Sequence, residues 1–304
     1  MKFTYGEDEP AGRLDYLIAE NSDGQFTRST ASKLIEQGRV VVNGEIEKQK
    51  SRKLRPGDEV EVNYSVPELS SEVEVIFETD NELVINKPAG MLSHSKGKLV
   101  EEISVAHWLL PKTTDLDEQR SGIVHRLDRA TSGVMICAKN PKSKNWLMKQ
   151  FSDRNVHKKY LAIIDGVPAD TLNSTLSPQE QRRFVIDMPI GRNPKKLTTF
   201  YVTDSGRPAQ TEVEILSSNG KQSLVLLTPK TGRTHQLRVH MWANGWPILG
   251  DPFYNSEFRD GEELMLHALS LTIQTCDKEW RDFSAPLPDH FVHKLKELGL
   301  KYKR

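Results

Sequence analysis

His125-Arg126-Leu127-Asp128-Arg129-Ala130-Thr131-Ser132-Gly133 sets one carboxylate between two arginines in a segment flanked by Ile123, Val124, Val134, Met135 and Ile136. The apolar flanks predict that the segment runs into a core instead of lying on a solvated loop. The flanking arginines predict a cationic partner that keeps Asp128 in its charged, reactive form. A structural Asp–Arg ion pair has the same local composition, so the rest of the chain has to decide between packing and chemistry.

Working outward, 304 residues suffice for two domains, and 37% hydrophobic with 28% charged residues is the balance of a globular protein with a sizeable core. Lys and Arg together number 42, as do Asp and Glu, so net charge is zero and any nucleic-acid surface has to come from local clustering. Cys137 and Cys276 are far apart and flanked by apolar or β-favouring residues, which predicts buried, reduced thiols. No apolar run has the length of a membrane span, and the first nine residues lack a secretory apolar core. Together these predict a cytoplasmic protein without a membrane partner and without an obligatory protein partner. No solenoid period or low-complexity tract is present.

Between Arg13 and Tyr64 the pattern reads as a compact α/β unit. A helix forms around Leu14, Leu17 and Ile18, and a second opens at Ser29 or Thr30 and stops at Gly38. Val40-Val41-Val42 leads into the hairpin turn Asn43-Gly44, and Pro56-Gly57-Asp58 precedes the alternating Glu59-Val60-Glu61-Val62. From Arg28 to Arg55 eight basic residues, including Arg28, Lys33 and Arg39, face three glutamates, so this window is cationic. Pro67 and the serines of 65–71 predict a linker. The expected domains are 1–64, a linker 65–71, and 72–304.

Beyond the linker, strands are predicted at 73–77, 83–85, 160–164, 211–216, 224–227 and 269–273, with a helix opened by Asn140-Pro141 and a closing helix from Asp289 carrying Phe291, Val292, Leu295 and Leu298 on one face. Strand pairs separated by isolated helices predict an α+β domain, not a doubly wound sheet. Thr234 to Ala243 reads as a helix capped by Thr234 and stopped at Gly245, which places Arg238 on a fixed scaffold.

The nonapeptide around Asp128 resembles the active-site motif of the RluA-type RNA pseudouridine synthases. The resemblance extends in the family's order to Asn86-Lys87-Pro88-Ala89-Gly90, to Lys158-Lys159-Tyr160, and to Lys230-Thr231-Gly232-Arg233-Thr234-His235-Gln236-Leu237-Arg238-Val239-His240 followed by Gly250-Asp251-Pro252. The amino-terminal window resembles the small S4-type RNA-binding module. The resemblance implies a pseudouridine synthase fold with a mixed, largely antiparallel sheet, an RNA substrate (ribosomal RNA first, transfer RNA second), and no cofactor. It implies that Asp128 is catalytic, attacking the sugar or removing one of its protons. Tyr160 then stacks on the flipped uracil, and Arg238 pairs with Asp128. Base flipping requires a filler for the vacated stack, and Arg126 is the candidate. Arg129, Lys87, His94 and Arg233 are expected at the RNA backbone, and Arg28, Lys33 and Arg39 at phosphates on the amino-terminal module.

Other chemistries have weaker signals. His235 and His240 are five apart, off the spacing that puts two ligands on one helical face, so no metal site is expected. His125, Asp128 and Ser132 are triad residue types without a Gly-x-Ser-x-Gly elbow. The chain also lacks a phosphate-binding Gly-x-x-x-x-Gly-Lys loop and a dinucleotide fingerprint. The remaining rivals are a catalytically silent RNA-binding or assembly protein with the same fold, and a glycosylase using Asp128.

Overall fold

The structure, a computed structural model, describes residues 1–6, 12–23, 26–64, 73–94, 103–116, 121–168 and 182–302. The whole of the expected linker, 65–71, lies outside the described residues. By contacts the chain divides into two compact units, Met1–Ser70 with His94–Trp108, and Ser71–Ser93 with Leu109–Arg304.

The first unit contains β1 (Lys2–Thr4), α1 (Leu14–Glu20), α2 (Arg28–Glu36), β2 (Val40–Val42), β3 (Glu45–Glu47) and β4 (Glu59–Val62). Its antiparallel sheet runs β1-β4-β2-β3. Asn43 and Gly44 both take positive φ, 52° and 82°, the primed-turn geometry that matches strand twist. Leu14, Ile18, Leu34 and Ile35 pack on Val40, Val42, Val60 and Val62. The second helix opens earlier than expected: Thr27, not Ser29 or Thr30, is its cap, and its side chain accepts from the Thr30 N–H at 3.2 Å. Thr27 is the last extended residue, so only its hydroxyl can reach back to an unpaired helix amide. Strand β1, three residues long with no periodicity to read, was not expected.

Helix α3 (Val105–Leu109) follows, with its first four residues grouped in the first unit. The second unit contains β5 (Glu74–Glu78), β6 (Glu82–Lys87), β7 (Ser132–Ala138), α4 (Pro141–Ser152), β8 (His157–Asp165), β9 (Arg183–Asp187), β10 (Ile190–Arg192), β11 (Phe200–Val202), β12 (Gln210–Ser218), β13 (Gln222–Pro229), α5 (Gln236–Ala243), β14 (Leu266–Gln274), β15 (Trp280–Ser284) and α6 (Asp289–Glu297). The main sheet runs β5-β6-β7-β14-β8-β13-β12-β9, with β15 also on β14. The β7–β14 pair is parallel and its other pairs are antiparallel, so the sheet is mixed and the domain α+β, as expected.

Every residue of β7 is buried, so the apolar flank of the opening motif is a central strand. Gly133 holds φ at 113°, and a Cβ there would meet the Ala268 carbonyl oxygen at 2.2 Å. The motif's glycine thus lets β7 lie against β14, which fixes where the chain just before it, with Asp128, can stand. Leu237 and Met241 of α5, and Phe291 and Leu295 of α6, join the same core as Leu161 and Ile163 of β8. That shared packing holds α5 and β8 in one rigid frame.

Two local expectations are corrected. Helix α5 begins at Gln236, with His235 and not Thr234 at its cap. The Gln236 side-chain oxygen accepts from the Arg233 N–H at 3.0 Å and from the Thr231 hydroxyl at 2.6 Å, so the preceding residues are held as a loop. Cys137 is buried, but Cys276 is only half-buried because it sits in the turn beyond β14; both are free thiols. Among the described residues no helix is long and apolar enough to cross a membrane.

Candidate active site

Asp128 leaves the loop just before β7, Tyr160 projects from β8, and Arg238 from the first turns of α5, and all three line one cleft of about 490 Å³. This volume lies within the range of small-ligand sites. Arg238 Nη1 donates to Asp128 Oδ2 at 3.3 Å. The expected flanking arginines do not pair with Asp128: Arg126 is exposed at the cleft, and Arg129 turns its Nε to the Gly90 carbonyl at 3.0 Å. Neighbours in an irregular segment diverge, so the cationic partner is Arg238, 110 positions away, the pairing that the resemblance implies.

Arg238 is itself held. Its Nε and Nη2 each donate to Asp251 at 2.7 Å, a two-pronged pair in which neither residue is more than 3% exposed. Asp251 Oδ1 also accepts from the N–H groups of Phe253 and Tyr254 at 2.9 and 3.2 Å. The Arg238 guanidinium lies 5.3 Å from the Phe253 ring centre and 5.2 Å from that of Tyr254. Burial disfavours its charge, but the Asp251 hydrogen bonds and the charges of Asp251 and Asp128 outweigh that and raise its pKa. Gly250, at φ 70°, precedes this carboxylate because a Cβ would meet the Glu263 carbonyl oxygen at 1.9 Å. Asp251 entered the sequence reading only as part of the Gly-Asp-Pro block, and its partner could not be read there.

His235 is the second residue that sequence reasoning missed, having weighed it only as a metal ligand. It holds φ 55°, ψ 19° at the start of α5, a left-handed conformation that costs a non-glycine residue about 1 kcal/mol or more. Rings of Phe200, Phe253 and Tyr254 surround it at centroid distances of 5.5, 6.0 and 5.7 Å. The buried Tyr254 hydroxyl accepts from the Phe200 N–H and lies 2.9 Å from His235 Nδ1, the acceptor for its own proton. That leaves the His235 Nε2–H facing Asp128 Oδ2 at 3.9 Å. Burial lowers the His235 pKa against the pull of Asp128, so the ring is neutral at neutral pH. Both Arg238 and His235 therefore address Oδ2, and Oδ1 has no hydrogen-bond partner among the described residues. Tyr160 is kept as the phenol, its pKa pushed up by burial and by the Asp128 charge.

The remaining expectations divide. Arg233 lines the cleft, with its Nε bound to the Pro208 carbonyl at 3.1 Å. Lys87 is not available to RNA: it is fully buried, and its Nζ donates to the carbonyls of Pro88, Met91 and Arg129 at 2.8, 2.8 and 3.2 Å. Burial draws its pKa down to about 7, against the raising effect of the Asp128 charge. The Asn-Lys-Pro-Ala-Gly block is thus a brace for the loop carrying Asp128 and Arg129. Lys87→Met would strand three carbonyls and is expected to lower stability by about 2–4 kcal/mol in chemical denaturation. His94 is half-buried, belongs by contacts to the first unit, and does not line the cleft. In the first unit Lys33 and Arg39 are exposed, while Arg28 pairs with buried Asp15 at 3.1 Å, a carboxylate that Arg13 also binds at 3.0 Å. The Arg13 hydrogen bonds, opposed by burial and helped by Arg28, lower the Asp15 pKa.

His125, Asp128 and Ser132 form no triad. His125 accepts the Ile136 N–H and Ser132 binds His267 at 2.9 Å. Among the described residues no group of three or more His, Cys, Asp or Glu side chains is placed to hold a metal ion.

Residues 81–243, which span Asp128, Tyr160 and Arg238, match the family described as RNA pseudouridylate synthase, and residues 12–60 match the S4 domain. The chain belongs to the RNA pseudouridylate synthase family. It is an RNA pseudouridine synthase, an isomerase. It is 32% identical over 311 residues to the uncharacterized RNA pseudouridine synthase YlyB of Bacillus subtilis, covering 98% of each chain. It is 36% identical over 314 residues to the ribosomal large subunit pseudouridine synthase D of Borreliella burgdorferi, covering 96% of this chain and 91% of that one. Among solved structures, human RNA pseudouridylate synthase domain containing 4 matches with a TM-score of 0.59 and 26% identity, over 76% of this chain and 95% of that one.

Proposed function

We propose that this synthase converts uridine to pseudouridine in large-subunit ribosomal RNA, in the cytoplasm, with Asp128 as the reacting group. The observation that carries the chemistry is the asymmetry of the Asp128 carboxylate: Oδ2 faces Arg238 and His235, while Oδ1 has no partner among the described residues of the cleft wall. The oxygen held by Arg238 fixes the orientation, and the other meets the sugar. It acts by attack on C1′ or by taking a sugar proton; both routes need a carboxylate at that position.

In the isomerisation the N1–C1′ bond breaks, the uracil turns, and C5 bonds to C1′. The C5 proton leaves to solvent and N1 gains one, so no electrons or groups are exchanged with a co-reactant. The Tyr160 ring supplies an apolar stacking face to the extruded base, and Arg126 fills the vacated stack. Residues 1–64 act as the RNA-holding domain, with Lys33, Arg39 and the solvent side of Arg28 at phosphates; Arg129 and Arg233 contact the backbone nearer the cleft.

The substrate reading is supported by similarity over nearly the whole chain to a protein named for the ribosomal large subunit. RNA from a strain deleted for the gene, mapped for pseudouridine, tests it. Loss of sites confined to large-subunit ribosomal RNA is the expected result; loss in transfer RNA assigns that substrate instead. Wild-type protein releasing no tritium from C5-labelled uridine in any cellular RNA would return the chain to the silent-binder reading, and free uracil among the products would make it a glycosylase.

A further inference from the structure

We propose that Lys158, with His125 beside it, forms a binding site in the cleft wall for a backbone phosphate of the extruded nucleotide, an assignment that rests on RNA being the cleft's substrate. Six cationic side chains line the cleft against one carboxylate, Asp128. Three of the six are already engaged: Arg238 with Asp251 and Asp128, Lys230 with Glu212 at 2.9 Å, and Arg233 with the Pro208 carbonyl. Arg126 and Arg154 are exposed, so water solvates their charge. Lys158 is different. It is half-buried, and among the described residues its Nζ has no hydrogen-bond or ion-pair partner, although the chain passes close by at Gly232, where a Cβ would lie 3.8 Å from it.

An ammonium partly withdrawn from water without a counter-charge is costly, and the strand places this one next to the chemistry. Lys158 and Tyr160 stand two apart on β8, on one face, about 6.6 Å along the strand. Burial also depresses the Lys158 pKa.

His125 adds a second donor. Its Nε2 accepts the Ile136 N–H at 3.1 Å, so the neutral ring carries its proton on Nδ1, and Nδ1 has no partner among the described residues. Stacking on Phe151, with centroids 4.5 Å apart, fixes the ring plane, and burial with the nearby Lys158 charge keeps it neutral, its pKa drawn down to about 3. Lys158 Nζ and His125 Nδ1 therefore both present donors. Of the groups on a flipped uridine nucleotide, the phosphate is the one that is both acceptor-only and anionic; the uracil carbonyls are neutral and leave the Lys158 charge uncompensated.

The test measures tritium release from in vitro transcribed, C5-tritiated large-subunit ribosomal RNA between 50 and 200 mM salt, for the full-length wild type, Lys158→Met and Lys158→Arg. Lys158→Met is expected to lose about 10- to 100-fold in kcat/KM. Its log–log salt slope should be shallower by about 0.7–0.9, the loss of one phosphate contact. Lys158→Arg should recover most of both. An unchanged slope with kcat reduced and the pH profile shifted overturns the proposal in favour of a proton-transfer role; an unchanged slope with a lowered melting temperature and no rescue by arginine overturns it in favour of packing. Wild-type activity on the same transcript separates these outcomes from failure of the substrate reading, which would silence the wild type too.

Discussion

Asp128→Asn is expected to abolish tritium release from C5-labelled uridine, lowering kcat/KM by about 10⁴-fold or more, because an amide neither attacks the sugar nor accepts its proton. The substitution keeps size and shape, and the Asn oxygen still meets Arg238 Nη1, which donates to Oδ2 at 3.3 Å in the wild type. Asp128 is only partly buried and carries no core packing, so the melting temperature should remain within a few degrees of wild type. RNA affinity measured by filter binding should also persist, since phosphate contacts dominate it. Activity within tenfold of wild type would remove Asp128 from the chemistry and leave it as an ion-pair residue.

Asp251→Asn is expected to give the opposite profile, with stability and activity lost together. Asp251 is completely buried and accepts two hydrogen bonds from Arg238 and two from backbone N–H groups. An asparagine turns an amide donor toward a donor and leaves the guanidinium, 3% exposed, with only the more distant Asp128 as counter-charge. Breaking a buried pair in this way costs about 3–5 kcal/mol. At a temperature where the variant is folded, kcat should still fall by about 10²-fold, because Arg238 is no longer held to orient the Asp128 carboxylate and small misplacements at a reacting centre carry such penalties. Denaturation and single-turnover kinetics on the two variants separate the roles: Asp128→Asn stable and inactive, Asp251→Asn unstable and impaired. Wild-type stability for Asp251→Asn would show that the pair contributes no more than an exposed salt bridge.

The parts legible in the sequence are those set by local preference. Asn140 with Pro141 announced α4, and the side chain of Asn140 accepts from the Ser143 N–H at 2.9 Å. Asn43-Gly44 announced its hairpin, and the 3.6-residue stripe of Phe291 and Leu295 announced α6. Motif spelling also singles out Asp128, Tyr160 and Arg238. Where the reading slipped, the reason was a side-chain hydrogen bond that residue type alone does not announce. Lys87 was read as an RNA contact from its place beside a glycine turn, yet three carbonyls, one of them 42 residues on, hold it inside. Thr234 looked like a helix cap until Gln236 engaged the loop before it.

By itself the sequence determined the family, the α+β class, the order of most helices and strands, and the residue types able to do the chemistry, because periodicity, turn residues and contiguous motifs are local properties of a chain. Only the tertiary structure decided that Arg238, the partner the resemblance implies, meets the Asp128 carboxylate through Oδ2 alone, that Asp251 grips that cation from behind, that His235 is bent into a left-handed backbone to face the same oxygen, and that Lys158 stands in the cleft wall without a partner among the described residues. Those are pairings between strands and helices up to 110 residues apart, fixed by how β7, β8 and α5 pack and register against one another, and no short-range pattern encodes them.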